Sequence, residues 1–237
     1  GHCMKALVSA SARFQLAPDG SLWTPNESLA YRFWSRYLDV YDEITLCVRT
    51  TPCQQPDQDW NKASGPGIVA APLPDFHGPR ELLSKYRLYQ RAIRTAIREA
   101  EAIHLRIPCP VGSQVWQALP HQRPYGVEVV GDPRDALAHG AYRHALRTLF
   151  RIWFTQTLRA QCARATGALY VTEYTLQRRY PCANFTTHSS SIDLELEAII
   201  QEPRILPTRG DRHELIFVGS LEQLYKGPDT LLDALAL

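Results

Sequence analysis

Short runs of β-branched and other apolar residues alternate along this chain with longer segments whose apolar positions recur at helical spacing. That is the pattern of a parallel sheet covered by helices. Residues 5–10 read as a first strand, followed by a loop containing Pro18-Asp19-Gly20. Pro25-Asn26-Glu27-Ser28 opens a helix through Leu38, with Leu29, Phe33, Trp34 and Tyr37 on its apolar side. Residues 43–48 and 67–71 read as the second and third strands, with the polar, proline-containing stretch 50–65 as a loop or hairpin between them. Residues 79–100 form a long helix bearing Lys85, Arg87, Arg91, Arg94 and Arg98. A strand at 102–106, a short helix at 111–119 and a buried strand at 126–130 follow, the last broken by Gly131-Asp132-Pro133. A long helix at 142–165, a strand at 168–171, a short helix at 172–180 and a small strand at 184–187 complete the unit.

From about residue 194 to 212 the chain changes character, with Pro203, Pro207 and Gly210 among charges, and reads as an interdomain linker. Residues 213–218 begin a new strand, and Gly219 and Lys226-Gly227-Pro228 precede a new helix. The expected fold class is α/β: a Rossmann-like, doubly wound parallel sheet over 4–193, a linker over 194–212, and the start of a truncated second domain over 213–237. The last helical run meets no Gly, Asn or Pro to stop it, and Gly1-His2-Cys3 before Met4 reads as a cloning remnant.

Composition narrows the classes without naming one. With 45% hydrophobic, 21% charged and 10% aromatic residues, the chain is not disordered, collagen-like or a coiled coil. A net charge of +2 demands no nucleic-acid partner, and none is expected. No apolar run approaches the ~18 residues of a membrane-spanning helix. Residues 6–12 imitate a signal peptide, but the run is short and Arg13 follows it directly, so a strand is the better reading. The six cysteines form no C-x-x-C pair and have no histidine at zinc spacing. They read as reduced thiols of a cytoplasmic protein, with no metal expected.

One segment is specific. Residues 214–232, from Glu214 through Val218-Gly219-Ser220-Leu221 to Lys226-Gly227-Pro228 and Leu231-Leu232, resemble the opening of the donor-binding domain of GT-B retaining glycosyltransferases, the large family that includes sucrose synthases and mannosyltransferases. Leu169 through Tyr180 resembles that family's strand, Ser/Thr-Glu, helix segment near the end of the acceptor-side domain. Residues 33–48 are similar to its first helix and second strand, and Ser191-Ile192-Asp193 falls where the family often has Asn-Gly-Val-Asp. The resemblance implies a nucleotide-sugar donor, a glycan or lipid-linked acceptor and no separate cofactor. It assigns the donor diphosphate to Gly219 and Lys226, since a glycine turn and a lysine at a strand-to-helix junction suit phosphate. Three departures stand out: Ser220 replaces the family's arginine, residues 9–14 lack its glycines, and Gly131-Asp132 occupies its usual histidine position. The resemblance also places two glutamates, eight positions apart, beyond residue 237, so this piece is expected to be inactive by itself and to bind donor poorly.

Four residues at or beyond predicted strand ends are the acceptor-side candidates, because open α/β sheets bind ligands there. Asp132 is the catalytic candidate, contacting the acceptor hydroxyl or the transferred sugar; a turn-forming role before Pro133 explains it equally. Arg106 suits an acceptor carboxylate or phosphate, or else an ion pair. Glu173 faces the cleft or favours a helix dipole. Arg13 offers charge to the donor phosphate or is simply solvated. The helix over 142–165 carries Arg143, His144, Arg147, Arg151, Arg159 and Arg164 with no acid, interleaved with Trp153 and Phe154. It suits weak peripheral contact with the anionic inner face of the plasma membrane, or is an ordinary solvated face. Two readings compete with sugar transfer: a GT-B nucleotide-sugar epimerase, and a non-catalytic membrane- or glycan-binding module.

Overall fold

The computed structural model of the chain describes residues 3–75, 79–137, 146–192, 196–200, 202, 215–218 and 226–236. Its strands are β1 (Lys5–Leu16), β2 (Leu22–Thr24), β3 (Glu43–Pro52), β4 (Asn61–Lys62), β5 (Ile68–Pro74), β6 (Ala102–Ile107), β7 (Gly126–Val129), β8 (Gly167–Tyr170) and β9 (Phe185–His188). The helices are α1 (Tyr31–Ser35), α2 (Pro79–Glu99), α3 (Pro110–Ala118), α4 (Pro133–Ala136), α5 (Arg147–Ala163), α6 (Thr175–Arg179) and α7 (Pro228–Leu235). Contacts divide the chain into two units, Gly1–Gly131 with Gln156–Ser189, and Asp132–Thr155 with Ser190–Leu237.

The sheet of the first unit runs β5-β3-β1-β6-β7-β8-β9 with every neighbouring pair parallel. This is the doubly wound α/β arrangement that the alternating pattern implies. Period-two alternation sorts its side chains into two cores. Leu7, Leu105, Ile107, Val127, Val129 and Tyr170 pack with Tyr89 and Ile93 of α2, Val111 and Val115 of α3 and Leu158 of α5. Ala6, Val8, Phe14, Ile44 and Leu46 pack with Trp34 of α1 on the other core. The indole of Trp34 is fully buried, and its Nε1 donates to the Leu29 carbonyl at 2.7 Å, so its polar atom enters the core satisfied.

Several expectations change. Residues 11–14, expected as a loop beyond the first strand, continue β1: the register shifts between Ser9 and Arg13, after which Arg13 to Leu16 pair with Arg49 to Pro52. Burial of Phe14 holds this second half in the sheet. Gly20, at φ 82, then turns the chain into β2, which pairs antiparallel with β1 and with β4. The continuous helix expected up to Leu38 is instead a 3-10 turn (Glu27–Leu29), α1 and a second 3-10 turn (Arg36–Asp39). Ala30 is extended, and an aromatic-rich segment gains more from packing Trp34 than from helix propensity. Pro133 starts the unexpected helix α4, with Asp132 as its N-cap.

In the second unit, residues 215–218 carry no strand where one is expected over 213–218, whereas the expected helix forms as α7, starting one residue early at Pro228. Residues 213–214, Gly219, Ser220 and Arg143 and His144 lie outside the described residues, as does most of 194–212.

Candidate functional site

The sheet reverses its winding between β1 and β6: β3 and β5 extend one side, β7 to β9 the other. At such a reversal the loops at the carboxyl ends of the two central strands diverge and leave a crevice, where ligands of open α/β sheets bind. Arg13 lies beyond this point on the extended half of β1, opposite Arg49 of β3, and Asp75 directly follows β5. The Asp75 Oδ1 is 3.5 Å from Arg13 Nε and 3.8 Å from Arg49 Nη1. Arg49 Nη2 also donates to the Ser11 carbonyl at 3.2 Å, tying the two halves of the edge together. Two guanidiniums thus share one carboxylate. The side chains of Asp75 and Arg49 are 11% and 14% exposed, that of Arg13 52%, so Arg13 is the one turned towards solvent. Beside them Thr50, Pro52, Leu73, Asp75 and Lys85 line a pocket of about 500 Å³.

Behind this edge the chemistry is closed. Ser9 is fully buried and its hydroxyl has no hydrogen-bond partner. Cys47 stands opposite it in register. Cys109 caps α3: its Sγ accepts from the Gly112 amide at 3.1 Å and donates to the Arg106 carbonyl at 3.0 Å. Burial pushes the Cys47 thiol up to about 12 and Cys109 up to about 11. Both therefore stay protonated at neutral pH, and neither is a ready nucleophile.

On the opposite face of β6, Arg106 is committed inward. Its Nε lies 3.0 Å from Glu128 Oε2 on β7, and the same oxygen accepts from the Tyr37 hydroxyl at 2.9 Å. The guanidinium stacks 4.6 Å from the centre of the Phe33 ring. Two residues earlier on β6, His104 Nε2 sits 2.7 Å from the Tyr41 hydroxyl, and burial pushes the imidazole below its ordinary range, so the ring is neutral. Burial, with the Glu128 charge adding to it, pushes the Tyr37 phenol up.

The remaining candidates are dispersed. Glu173 is exposed in the turn after β8, ahead of α6 rather than in its first turn, and accepts from the Tyr174 hydroxyl at 2.6 Å. Asp132 Oδ1 accepts from the Arg134 amide at 2.8 Å, the N-cap geometry of α4. Lys226 is exposed just before Gly227, whose φ of 73 favours glycine, and Pro228 takes the first helical position of α7. Gly219 lies outside the described residues. Among the described residues, no hydrogen bond or ion pair joins any two of Arg13, Arg106 and Glu173.

Three residues escaped the sequence reading. Arg49 follows the apolar run 44–48 directly, a strand-end position that could have flagged it. Glu128 is a charge inside an otherwise apolar strand, which called for a buried partner. Asp75 gave no such signal, because β5 runs three residues past its expected end.

The acid-free helix α5 spends much of its charge on carbonyls. Arg147 Nη1 donates to Leu137 at 3.0 Å, Arg151 Nε to Arg134 at 2.9 Å and Arg159 Nε to Arg179 at 3.2 Å. Arg164 lies 5.4 Å from the centre of the Trp116 ring. Among the described residues, no group of three or more His, Cys, Asp or Glu side chains is placed to hold a metal ion, and no helix is long and apolar enough to cross a membrane.

No protein-family model matches the chain. Over 211 residues it is 22% identical to Protein CapJ of Staphylococcus aureus, an alignment covering 87% of this chain and 51% of that protein. Among solved structures it is similar to a ugt transferase from Siraitia grosvenorii, crystallised in complex with UDP, at a TM-score of 0.39 and 10% identity over 78% of this chain and 50% of that one. The chain therefore spans about half the length of each protein it matches.

Proposed function

We propose that the chain is the acceptor-side part of a glycosyltransferase that moves a sugar from a nucleotide-sugar donor to a glycan or lipid-linked acceptor, with retention. The observation that carries this reading is the edge at the winding reversal, where Arg13 and Arg49 share the single carboxylate of Asp75. Two cations on one anion leave a net positive charge at the place where a doubly wound sheet takes its ligand. Arg13, half exposed, is the donor of hydrogen bonds to an incoming phosphate oxygen. Residues 213–237 supply the first piece of the donor side, with Lys226 at the turn into α7 binding the diphosphate, as the resemblance of 214–232 implies.

The chemistry asked of this edge is electrostatic. The guanidinium of Arg13 offsets the charge that develops on the leaving diphosphate as the sugar carbon loses its bond to it. The resemblance of 214–232 implies attack by the acceptor hydroxyl on the face of the departing phosphate, which takes up its proton. Asp132, Glu173 and Arg106 remain the acceptor-side proposals, of which Glu173 is the most exposed to solvent.

The test is release of labelled sugar from a panel of nucleotide sugars by the whole protein containing this chain, with and without glycan and lipid-linked acceptors. Acceptor-dependent transfer, weakened about tenfold or more by Arg13→Gln and by Lys226→Ala, is expected. Epimer formation without acceptor, or no reaction with any donor, would overturn the reading.

A further inference from the structure

Helix α2 carries a row of cations that the site above does not use. Arg87, Arg91, Arg94 and Arg98 are all exposed, and among the described residues none of them has an ion pair, a hydrogen bond or a ring partner. At 3.6 residues per turn they fall within an arc of about 60°, and at 1.5 Å per residue the row is about 16 Å long. Consecutive members stand four, three and four positions apart, so each neighbouring pair repels its own helix. The acids of α2 do not relieve this: Glu81 is paired with Lys85, and Glu99 lines a different pocket, between α2 and β5.

The row borders a shallow groove of about 540 Å³, completed by Tyr86, Gln90 and Thr95. Every one of these side chains can donate a hydrogen bond, and none is aliphatic or acidic. We propose that this groove binds an acidic polysaccharide, a linear chain of sugars bearing carboxylates or phosphates. The inference rests on the reading of the protein as a glycan-modifying transferase and names the charge of the glycan. A shallow groove bordered by a row of arginines fits a linear polyanion laid along it, with arginines meeting the anionic groups and Gln90, Thr95 and Tyr86 meeting hydroxyls. A bilayer would call for apolar residues within the cationic stripe, and Leu88, the exposed aliphatic among the described side chains of this helix, lines the neighbouring pocket instead. A nucleic acid would call for interleaved aromatics on which bases stack, and the groove holds Tyr86 alone.

The experiment measures binding of this chain to polygalacturonate across a salt series, with neutral dextran, phosphatidylglycerol vesicles and single-stranded DNA as parallel probes. The variants are Arg91→Gln with Arg94→Gln, and separately Arg87→Gln with Arg98→Gln; glutamine keeps helix propensity, and circular dichroism checks the fold. Salt-sensitive binding to polygalacturonate but not dextran is expected, about tenfold weaker in each double variant, with the logarithmic salt slope reduced by about one per arginine removed. No binding at low salt, binding unchanged in both variants, or tighter arginine-dependent binding to vesicles or DNA would overturn the proposal. Donor turnover by the whole protein is read separately. Absence of polymer binding by the unaltered protein with turnover intact sinks the groove alone, and polymer binding with no turnover of any nucleotide sugar sinks the transferase reading alone.

Discussion

Replacing Glu128 by alanine would remove the carboxylate that holds Arg106 and the acceptor for the Tyr37 hydroxyl in one step. The two charged side chains are 14% and 12% exposed, so water reaches the orphaned guanidinium poorly. Breaking such a pair from one side costs about 3–5 kcal/mol. The Phe33 ring lies 4.6 Å from the guanidinium before and after the change and so leaves that cost as it is, about 3 kcal/mol at the least. Arg106→Leu alone should cost a similar amount, because it strands the carboxylate beside a single phenol. The double variant Arg106→Leu with Glu128→Ala removes both charges and leaves only the Tyr37 hydroxyl unpaired, a loss of about 1–2 kcal/mol. Urea unfolding of the four proteins therefore gives a double-mutant cycle with about 4 kcal/mol of coupling. Additive single effects, or a Glu128→Ala loss under about 1 kcal/mol, would refute the buried pair.

Gly112 sits where an added Cβ would come within 2.8 Å of Ile107 Cγ2 and 3.1 Å of Cys109 Sγ. The overpacking, about 1–3 kcal/mol, exceeds the roughly 1 kcal/mol of helix propensity gained, so Gly112→Ala should lower the urea midpoint; a raised midpoint would refute the close approach. His104 is held neutral by burial, below its ordinary 6.5. Stability should be full above that pH and decline as pH falls below it, since the unfolded chain takes up the proton first; a His104→Gln variant with the same slope between pH 7 and 5 would exclude His104 as the cause. Cys47, Cys109 and Cys162 are buried, with burial pushing their thiols to about 12, 11 and 12. A thiol reagent at pH 8 should label the native protein at Cys3, Cys53 and Cys182 and reach the other three only on denaturation, as peptide mapping would check.

The sheet was legible because its strands are written twice, once in apolar runs and once in the helical segments that separate them. β6, β7 and β8 fall within a residue or two of where the pattern puts them. What the pattern missed is long-range. The second half of β1 reads as a loop because Ser11, Ala12 and Arg13 look unlike a strand, yet pairing with Arg49 to Pro52 and the burial of Phe14 hold it in the sheet. α2 showed the reverse: its length and its arginines were plain from the sequence, but their freedom from partners depends on what the fold brings near them.

The candidate site shows the same division in its charges. A strand-end position tells how far along the sheet a residue lies, but not the face to which its side chain turns. Arg13 and Arg106 both qualified by position. Arg13 stands half exposed beside a carboxylate that a second arginine already shares, whereas Arg106 turns to an aromatic face and spends its charge on Glu128. On α5, likewise, Arg147, Arg151 and Arg159 point at carbonyls, so a helix without acids is not a helix with free cations. A net charge of +2 over 237 residues conceals this sorting. Positive charge is available to a ligand only where guanidiniums outnumber the carboxylates and carbonyls within reach. Among the described residues of the first unit that condition holds along α2, while at the edge of β1 and β3 it is Arg13 that keeps half its side chain exposed beside the shared carboxylate.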